Sequence, residues 1–183
     1  MTTRGPWKIL SQRLIHESPW IAIDHYDVIT PAGTAGTYTT VDFKNWAIGV
    51  VPIDDEGHTY IVGQYRFPLE EYSWEIPEGG GKKQETLLAS AQRELLEETG
   101  ITATDWQLIY EFRTSNSVTN ERAYIFLATG LQFGNAEPEE TEELALKRIP
   151  FSELLAMVYR NEITDSLTVI GTLIADQWLK SHR

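Results

Sequence analysis

Three carboxylates crowd one short stretch of this chain and have the types and spacing to hold a metal ion. Glu94, Glu97 and Glu98 stand at positions i, i+3 and i+4, which places them on adjoining surface of a helix. Each like-charge pair costs about 0.2–0.5 kcal/mol on an exposed helix. Arg93, four residues before Glu97, offsets part of this repulsion. A hard divalent cation offsets more, because Mg²⁺ binds carboxylates together with waters and substrate phosphates. We therefore predict a metal site that activates water against a phosphate, rather than a solvated acidic face.

These acids belong to a longer pattern between Gly79 and Ile101. The segment reads GGGKKQETLLASAQRELLEETGI. It fits Gly-x5-Glu-x7-Arg-Glu-U-x-Glu-Glu-x-Gly-U, where U is aliphatic, at every fixed position. It resembles the Nudix box, the signature of hydrolases that split nucleoside diphosphates linked to another group. The resemblance extends over residues 45–180, whereas residues 1–44 match only loosely.

The box itself predicts a helix with defined ends. Residues 85–98 contain neither Gly nor Pro, and apolar residues recur at helical spacing at Leu87, Leu88, Ala91 and Leu95. Gly79–Gly81 predict a loop before the helix. Glu85 is expected in the first turn, where the macrodipole favours an acid, and Gly100 is expected as the C-terminal cap.

The resemblance implies roles for the residues of the box. Glu94 and Glu98 correspond to the leading ligands of Mg²⁺, for which Mn²⁺ can substitute. Glu97 corresponds to a third ligand, and the backbone carbonyl of Glu78 completes the set. Glu97 and Arg93 also count among the expected catalytic residues, Arg93 by orienting the helix and its loop.

The general base is expected in an acidic segment beyond the helix, as the resemblance implies. The candidates are Glu137, Glu139, Glu140, Glu142 and Glu143. Its position just before the following strand favours Glu143, with Glu140 and Glu142 as alternatives. An acidic loop that is merely solvated is the competing interpretation.

Two residues upstream of the box are candidates for substrate binding. Arg66 ends a predicted strand and has the geometry to clamp a phosphate bidentately, although a plain surface arginine is the alternative. Glu75 is expected to contact substrate or metal, unless it is a strand residue that faces solvent. Trp7, Trp20 and Trp46 are candidates for stacking on a base, but aromatic residues in strands more often belong to the core.

Composition limits the classes of function. The chain has 183 residues, 42% of them hydrophobic, and no cysteine, which fits one domain with a sizeable core and excludes disulfides and thiolate sites. A formal net charge of −12 argues against binding nucleic acid through a basic surface. We find neither a secretory signal nor a stretch apolar enough for a membrane span, so we expect a cytoplasmic protein with no membrane partner.

Strand signals surround the box. The predicted strands are Ile21–Val28, Tyr38–Phe43, Trp46–Ile53 and Tyr60–Arg66 before it, and Trp106–Thr114, Arg122–Ala128 and Leu144–Ile149 after it. The third and fourth strands flank the turn Asp54–Gly57 and predict a hairpin. Two helices, at residues 150–159 and 166–180, are predicted to end the chain.

This order of elements predicts an α+β fold with a mixed sheet. The resemblance implies a Nudix-type α/β/α sandwich, here with a small N-terminal β-sheet elaboration. We assign residues 1–44 to an N-terminal β subdomain and residues 45–183 to the Nudix hydrolase domain.

Other segments resemble one branch of the superfamily. Gln64–Arg66 followed by Trp74–Gly79 resembles the enzymes that hydrolyse ADP-ribose and other nucleoside diphosphate sugars, and Asn161–Thr168 looks similar too. That branch implies a homodimer whose N-terminal sheets exchange and help to form the substrate site. Residues 114–121 lack the Pro-Gly turn common in members that prefer ADP-ribose, which widens the expected range to GDP-mannose and similar substrates.

The expected activity is therefore metal-dependent hydrolysis of a small nucleotide sugar to a nucleoside monophosphate and a sugar phosphate. One alternative is a Nudix hydrolase of dinucleoside polyphosphates, nucleoside triphosphates or capped RNA. Another is a regulator that binds a nucleotide without cleaving it. Such regulators usually lose carboxylates of the box, and this chain has all of them.

Overall fold

The computed structural model describes residues 2–134 and 144–182, and its contacts divide the chain into two units. The first unit comprises Met1–Trp46 with Arg113–Arg122, and the second comprises Ala47–Phe112 with Ala123–Arg183. The assignment of residues 1–44 and 45–183 to separate domains stays a prediction.

The first unit is built on an antiparallel sheet. Its strands, in spatial order, are β1 (Thr2–Arg4), β2 (Trp7–Glu17), β3 (Ile21–Ile29) and β4 (Ala35–Phe43). Strands β3 and β4 were predicted from the sequence, whereas β2 was not. The register of β2 against β3 shifts twice, between Ile9 and Ser11 and between Leu14 and His16. Such irregularities break the strict alternation by which a strand is recognised in a sequence.

The described residues of the second unit form two sheets and three helices. The strands are β5 (Asn45–Pro52), β6 (His58–Arg66), β7 (Glu71–Glu75), β8 (Glu78–Lys82), β9 (Ile101–Arg113), β10 (Arg122–Phe133) and β11 (Ala145–Pro150). The helices are α1 (Leu87–Thr99), α2 (Phe151–Tyr159) and α3 (Ser166–Ser181). One sheet has the order β8-β5-β10-β9, with β5 and β10 parallel, and the other has the order β11-β6-β7, with antiparallel pairs. The pairing is therefore mixed, as predicted.

The predicted hairpin of β5 and β6 is wrong. These strands lie in different sheets, and an isolated antiparallel bridge between Ile53 and Thr59 joins their ends. Both strands carry an almost continuous buried run, Ile48–Ile53 in one and Thr59–Gly63 in the other. Such runs are typical of strands covered on both faces, whereas a half-exposed hairpin alternates. β5 therefore pairs in parallel with β10, far along the chain, whereas β6 lies between β11 and β7, the strand that follows it.

The predicted loop at Gly79–Gly81 is also wrong, because these residues belong to β8. A Cβ on Gly81 would lie 2.8 Å from Cγ1 of Ile48 on β5 and 3.2 Å from Cβ of Ser90 on α1. The glycine at this position therefore serves the close packing of strand and helix rather than a turn.

Helix α1 begins later than predicted. Its N-cap is Thr86, whose hydroxyl accepts a hydrogen bond from the Ala89 N–H at 3.1 Å, so Glu85 precedes the helix instead of lying in its first turn. Such a cap is worth about 1 kcal/mol. The C-cap is confirmed: Gly100 has a φ of 70° and donates its N–H to the carbonyl of Leu96.

Helices α2 and α3 follow the predicted bounds closely and complete the core. The buried cluster includes Val51, Ile61, Ile76, Ile125, Leu127, Leu154, Ile163 and Leu167. Helix α3 starts at its N-cap Asp165, whose carboxylate accepts a hydrogen bond from the Thr168 N–H at 2.7 Å. None of the described helices is long and apolar enough to cross a membrane.

Candidate active site

The inward face of α1 carries two acids. Glu94 is 7% exposed and Glu98 is 4% exposed, one turn apart beside the fully buried Leu95. Because their side chains stand on the face that packs against the protein, both carboxylates are turned toward the start of β8. This burial is costly for charged groups unless they are paired or bind a metal.

The carboxylates of Glu94 and Glu98 meet the backbone of Glu78 and Gly79. The Glu78 N–H donates to Oε2 of Glu98 at 2.9 Å. A Cβ on Gly79 would lie within 2.8 Å of Oε1 of Glu94 and closer still to its Oε2. The Glu78 carbonyl belongs to the peptide that joins these two residues. Both carboxylates expected from the box therefore reach the stretch of backbone that carries the expected carbonyl ligand.

Arg93 connects the outer acids of α1 to β8. Its Nη1 lies 2.8 Å from Oε1 of Glu94 and donates to Oε2 of Glu97 at 2.8 Å, the contact expected at i+4. Its Nη2 donates to the Gly80 carbonyl at 2.9 Å. Burial opposes the charge on Arg93, but the two acids outweigh it and raise the pKa of the guanidinium. These contacts fit the orienting role expected of Arg93.

Arg66 forms hydrogen bonds with the carboxylates of two glutamates. Its Nε donates to Oε1 of Glu75 at 2.9 Å and its Nη2 donates to Oε2 of the same residue at 2.5 Å. The same Nη2 donates to Oε1 of Glu78 at 3.2 Å. Burial lowers the pKa of Arg66, but the hydrogen bonds and charge of Glu75 outweigh it, so the net shift is upward. Nη1 makes none of these contacts.

Glu75 is buried, at 2% exposure, so the alternative of a strand residue facing solvent is wrong. It ends β7 and pairs with Arg66 at the end of β6. Because the bidentate geometry of Arg66 is occupied by Glu75, the direct contact of either residue with substrate or metal stays a prediction.

Asp165 lies near this pair, although no role was predicted for it from the sequence. Oxygen atoms of Glu75, Glu78 and Asp165 lie within 4.8 Å of one another. Burial, followed by the nearby charges of Asp165 and Glu75, raises the pKa of Glu78 well above its ordinary value. The sequence signal for Asp165 was its position as a helix cap, which suggests a structural role and says nothing about distant acids.

The remaining predicted residues lie elsewhere. Trp7 packs edge-on against Tyr38, with ring centroids 5.3 Å apart, beside a cavity of about 340 Å³ in the first unit. Trp20 is 67% exposed, and Trp46 lies under the guanidinium of Arg122 at 5.9 Å. The general-base candidates, including Glu143, Glu140 and Glu142, fall outside the described residues, so that assignment stays a prediction.

The donor set suits a hard cation. Glu94, Glu98 and the Glu78 carbonyl offer only oxygen atoms, which Mg²⁺ and Mn²⁺ prefer to nitrogen or sulfur. Both carboxylates are buried, and Oε1 of Glu94 pairs with Arg93. The residues present therefore fit the metal that the sequence predicted.

Comparisons with known proteins agree with this arrangement. The family described as NUDIX domain matches residues 44–167. An ADP-ribose pyrophosphatase of Mycobacterium tuberculosis is 30% identical over 173 residues, which cover 91% of this chain and 82% of that protein. One from Bacillus subtilis is 35% identical over 150 residues, which cover 80% of each chain. A solved structure described as ADP compounds hydrolase has a TM-score of 0.86 at 23% identity, covering 96% of this chain and 95% of that one.

The family match over more than half of the chain shows that this protein belongs to the Nudix family. The predicted family is thereby confirmed, and the two relatives carry the name of the branch that the sequence resembled. The predicted α+β fold is confirmed as well, since the solved structure matches nearly the whole chain.

Proposed function

We propose that this protein hydrolyses the pyrophosphate bond of nucleoside diphosphate sugars, ADP-ribose and GDP-mannose among them. The products are a nucleoside monophosphate and a sugar phosphate. The observation that carries the proposal is the convergence of buried Glu94 and Glu98 on the Glu78–Gly79 backbone. The names of the two relatives support ADP-ribose as a substrate.

In the proposed mechanism, Glu94, Glu98 and the Glu78 carbonyl would hold Mg²⁺, for which Mn²⁺ can substitute, and Glu97 would contribute from the edge of the site. When bound, the metal neutralises phosphate charge and lowers the pKa of coordinated water. Arg93 fixes α1 against β8 through the Gly80 carbonyl. A glutamate of residues 137–143, with Glu143 first, takes the proton of the attacking water.

Arg66 is proposed to bind a phosphate oxygen through Nη1 while Glu75 holds its other side. Lysine at this position keeps the charge but lacks the planar fork, so it cannot satisfy Glu75 and a phosphate together. We expect Arg66→Lys to lower kcat/KM by about 10- to 100-fold, the equivalent of one charge-assisted hydrogen bond. Steady-state kinetics measure this loss.

The matched control is Arg160→Lys. Arg160 pairs with Glu153 and Glu162 on the exposed surface, so the same replacement there should leave kcat/KM within about twofold, as surface ion pairs contribute little. Equal kcat/KM values in both variants would show that Arg66 does not bind the substrate.

We also propose a cytoplasmic homodimer. The exposed side chains of Leu10, Leu14 and Ile15 on β2 support a contact through the N-terminal sheet, because exposed apolar patches often mark interfaces. Light scattering should give twice the chain mass of 20.8 kDa. A monomer at working concentration would rule this assembly out.

The substrate class is tested by incubating the purified protein and Mg²⁺ with ADP-ribose, GDP-mannose, UDP-glucose, diadenosine polyphosphates and ATP. Release of AMP or GMP from the sugar nucleotides is expected. Turnover restricted to ATP or the polyphosphates would replace the proposed substrate class. Binding without turnover of any of them would favour a regulatory protein.

A further inference from the structure

We propose that Glu75, Glu78 and Asp165 form a second divalent-cation site, beside Arg66 and distinct from the carboxylates of the Nudix box. Glu78 belongs to both places, with its backbone at Glu98 and its side chain in this cluster. The proposal concerns cation binding and does not depend on the identity of the substrate.

The spacing of the three acids fits a cation. Oxygen atoms from Glu75, Glu78 and Asp165 all lie within 4.8 Å of one another. An ion of the size of Ca²⁺, with metal–oxygen distances of about 2.3–2.6 Å, spans about 5 Å between opposite ligands. Carboxylate oxygens this close together can share one divalent cation, whose metal–oxygen distances are about 2.1 Å for Mg²⁺ and longer for Ca²⁺.

One atom of the cluster lacks a partner. Oε1 of Glu78 accepts a hydrogen bond from Arg66, but Oε2 of Glu78 is buried with no hydrogen-bond partner among the described residues. The Glu78 side chain is only 10% exposed, so water does not compensate freely. A buried oxygen left in this way indicates an ion or water that belongs at the site.

The charges favour a divalent ion over a proton. Three ionised carboxylates and the Arg66 guanidinium leave a net charge of about −2, and Glu75 is 2% exposed. A proton shared by Glu78 and Asp165 leaves about −1, whereas a divalent cation neutralises the cluster. Buried charge that is not neutralised is costly.

A cation at this place also affects Arg66. It would bind the carboxylates of Glu75 and Glu78, the same two groups that accept hydrogen bonds from Nε and Nη2 of the guanidinium. Occupancy of the cluster is thereby coupled to the freedom of Arg66, since both compete for the same carboxylates.

The test counts Mn²⁺ ions bound per full-length chain by calorimetry and by the paramagnetic signal of free Mn²⁺, and repeats the titration with Ca²⁺. Asp165→Asn should bind one ion fewer than the wild type. Asparagine keeps an oxygen that can accept the Thr168 N–H, so the cap of α3 is retained. Glu78→Gln should lose the same ion. It replaces Asp165→Asn in the measurement if that variant does not fold.

A second pair of variants separates this site from the box. Glu98→Gln should keep the ion, and the double variant Glu98→Gln/Asp165→Asn should bind one fewer than Glu98→Gln alone. Glu153→Gln, which alters an exposed acid paired with Arg160, should bind as many ions as the wild type.

Two results would overturn the proposal. Equal ion counts in the wild type, Asp165→Asn and Glu78→Gln would mean that the cluster holds a proton instead. An ion absent from Glu98→Gln as well as from Asp165→Asn would belong to the box. Neither result depends on hydrolysis, so a wrong substrate class would leave this test intact.

Discussion

Replacing Glu98 by glutamine is expected to reduce kcat/KM by about a thousandfold or more. The amide cannot supply the negative charge that a divalent cation requires, and metal-assisted stabilisation of the transition state is worth several kcal/mol. Each 1.36 kcal/mol of lost stabilisation is tenfold in rate, so three such steps give about a thousandfold. The measurement is steady-state hydrolysis of the best sugar nucleotide over a range of Mg²⁺ concentrations.

The glutamine variant separates charge from structure. Glu98 accepts the N–H of Glu78 at 2.9 Å, and the amide oxygen of glutamine can accept the same bond. The contact of α1 with β8 should therefore survive, and the thermal unfolding curve should stay close to that of the wild type. Glu153→Gln, on the exposed surface of α2, is the matched control and should hydrolyse normally. Near-wild-type turnover by Glu98→Gln would refute the assignment of the metal to the helix acids.

Local sequence patterns predicted helix α1, which bears the acids of the site, well. The i, i+4 spacing of Glu94 and Glu98 predicted a shared helix face, and both side chains are buried on one face of α1. Gly100 was predicted as a cap because it can adopt a positive φ, and it does so at 70°. The predicted start of the helix was wrong because the N-cap is Thr86, one residue after Glu85, which was expected in the first turn.

Long-range pairing was the part that local patterns could not predict. The turn after Ile53 reads equally well as the tip of a hairpin or as a crossing between sheets, and the parallel partner of β5 lies in β10, far along the chain. Leu88 had the spacing of the apolar stripe, yet it is 40% exposed, because packing on α1 covers Ala91 and Leu95 instead.

The acids around Arg66 show the same limit more clearly. Glu75 and Glu78 are close in sequence, but Asp165 reaches them only because α3 packs against this part of the fold. Its neighbour Thr168 accepts the N–H of Ile76 at 3.0 Å, which fixes the start of α3 beside the two glutamates. A sequence pattern confined to one segment cannot predict that residues of two distant segments lie close together.

Replacing Gly79 by alanine is expected to lower kcat/KM by about a hundredfold. No positive φ restricts this position, so the backbone accepts alanine, but the new methyl would overlap the carboxylate of Glu94. That carboxylate is buried, at 7% exposure, and must shift by about an ångström to make room. A displacement of that size near the chemistry costs about a hundredfold in rate.

Gly36→Ala is the matched control for Gly79→Ala. Gly36 lies in β4 without a positive φ, and among the described residues its added methyl would meet Cγ2 of Thr30 at 3.4 Å, an ordinary contact. Its activity should stay near the wild-type value. The Mg²⁺ concentration for half-maximal rate should rise in Gly79→Ala and stay unchanged in Gly36→Ala, because only the former moves a metal ligand. A Gly79→Ala enzyme with unchanged Mg²⁺ dependence would mean that Glu94 does not bind the metal, whatever the loss in rate.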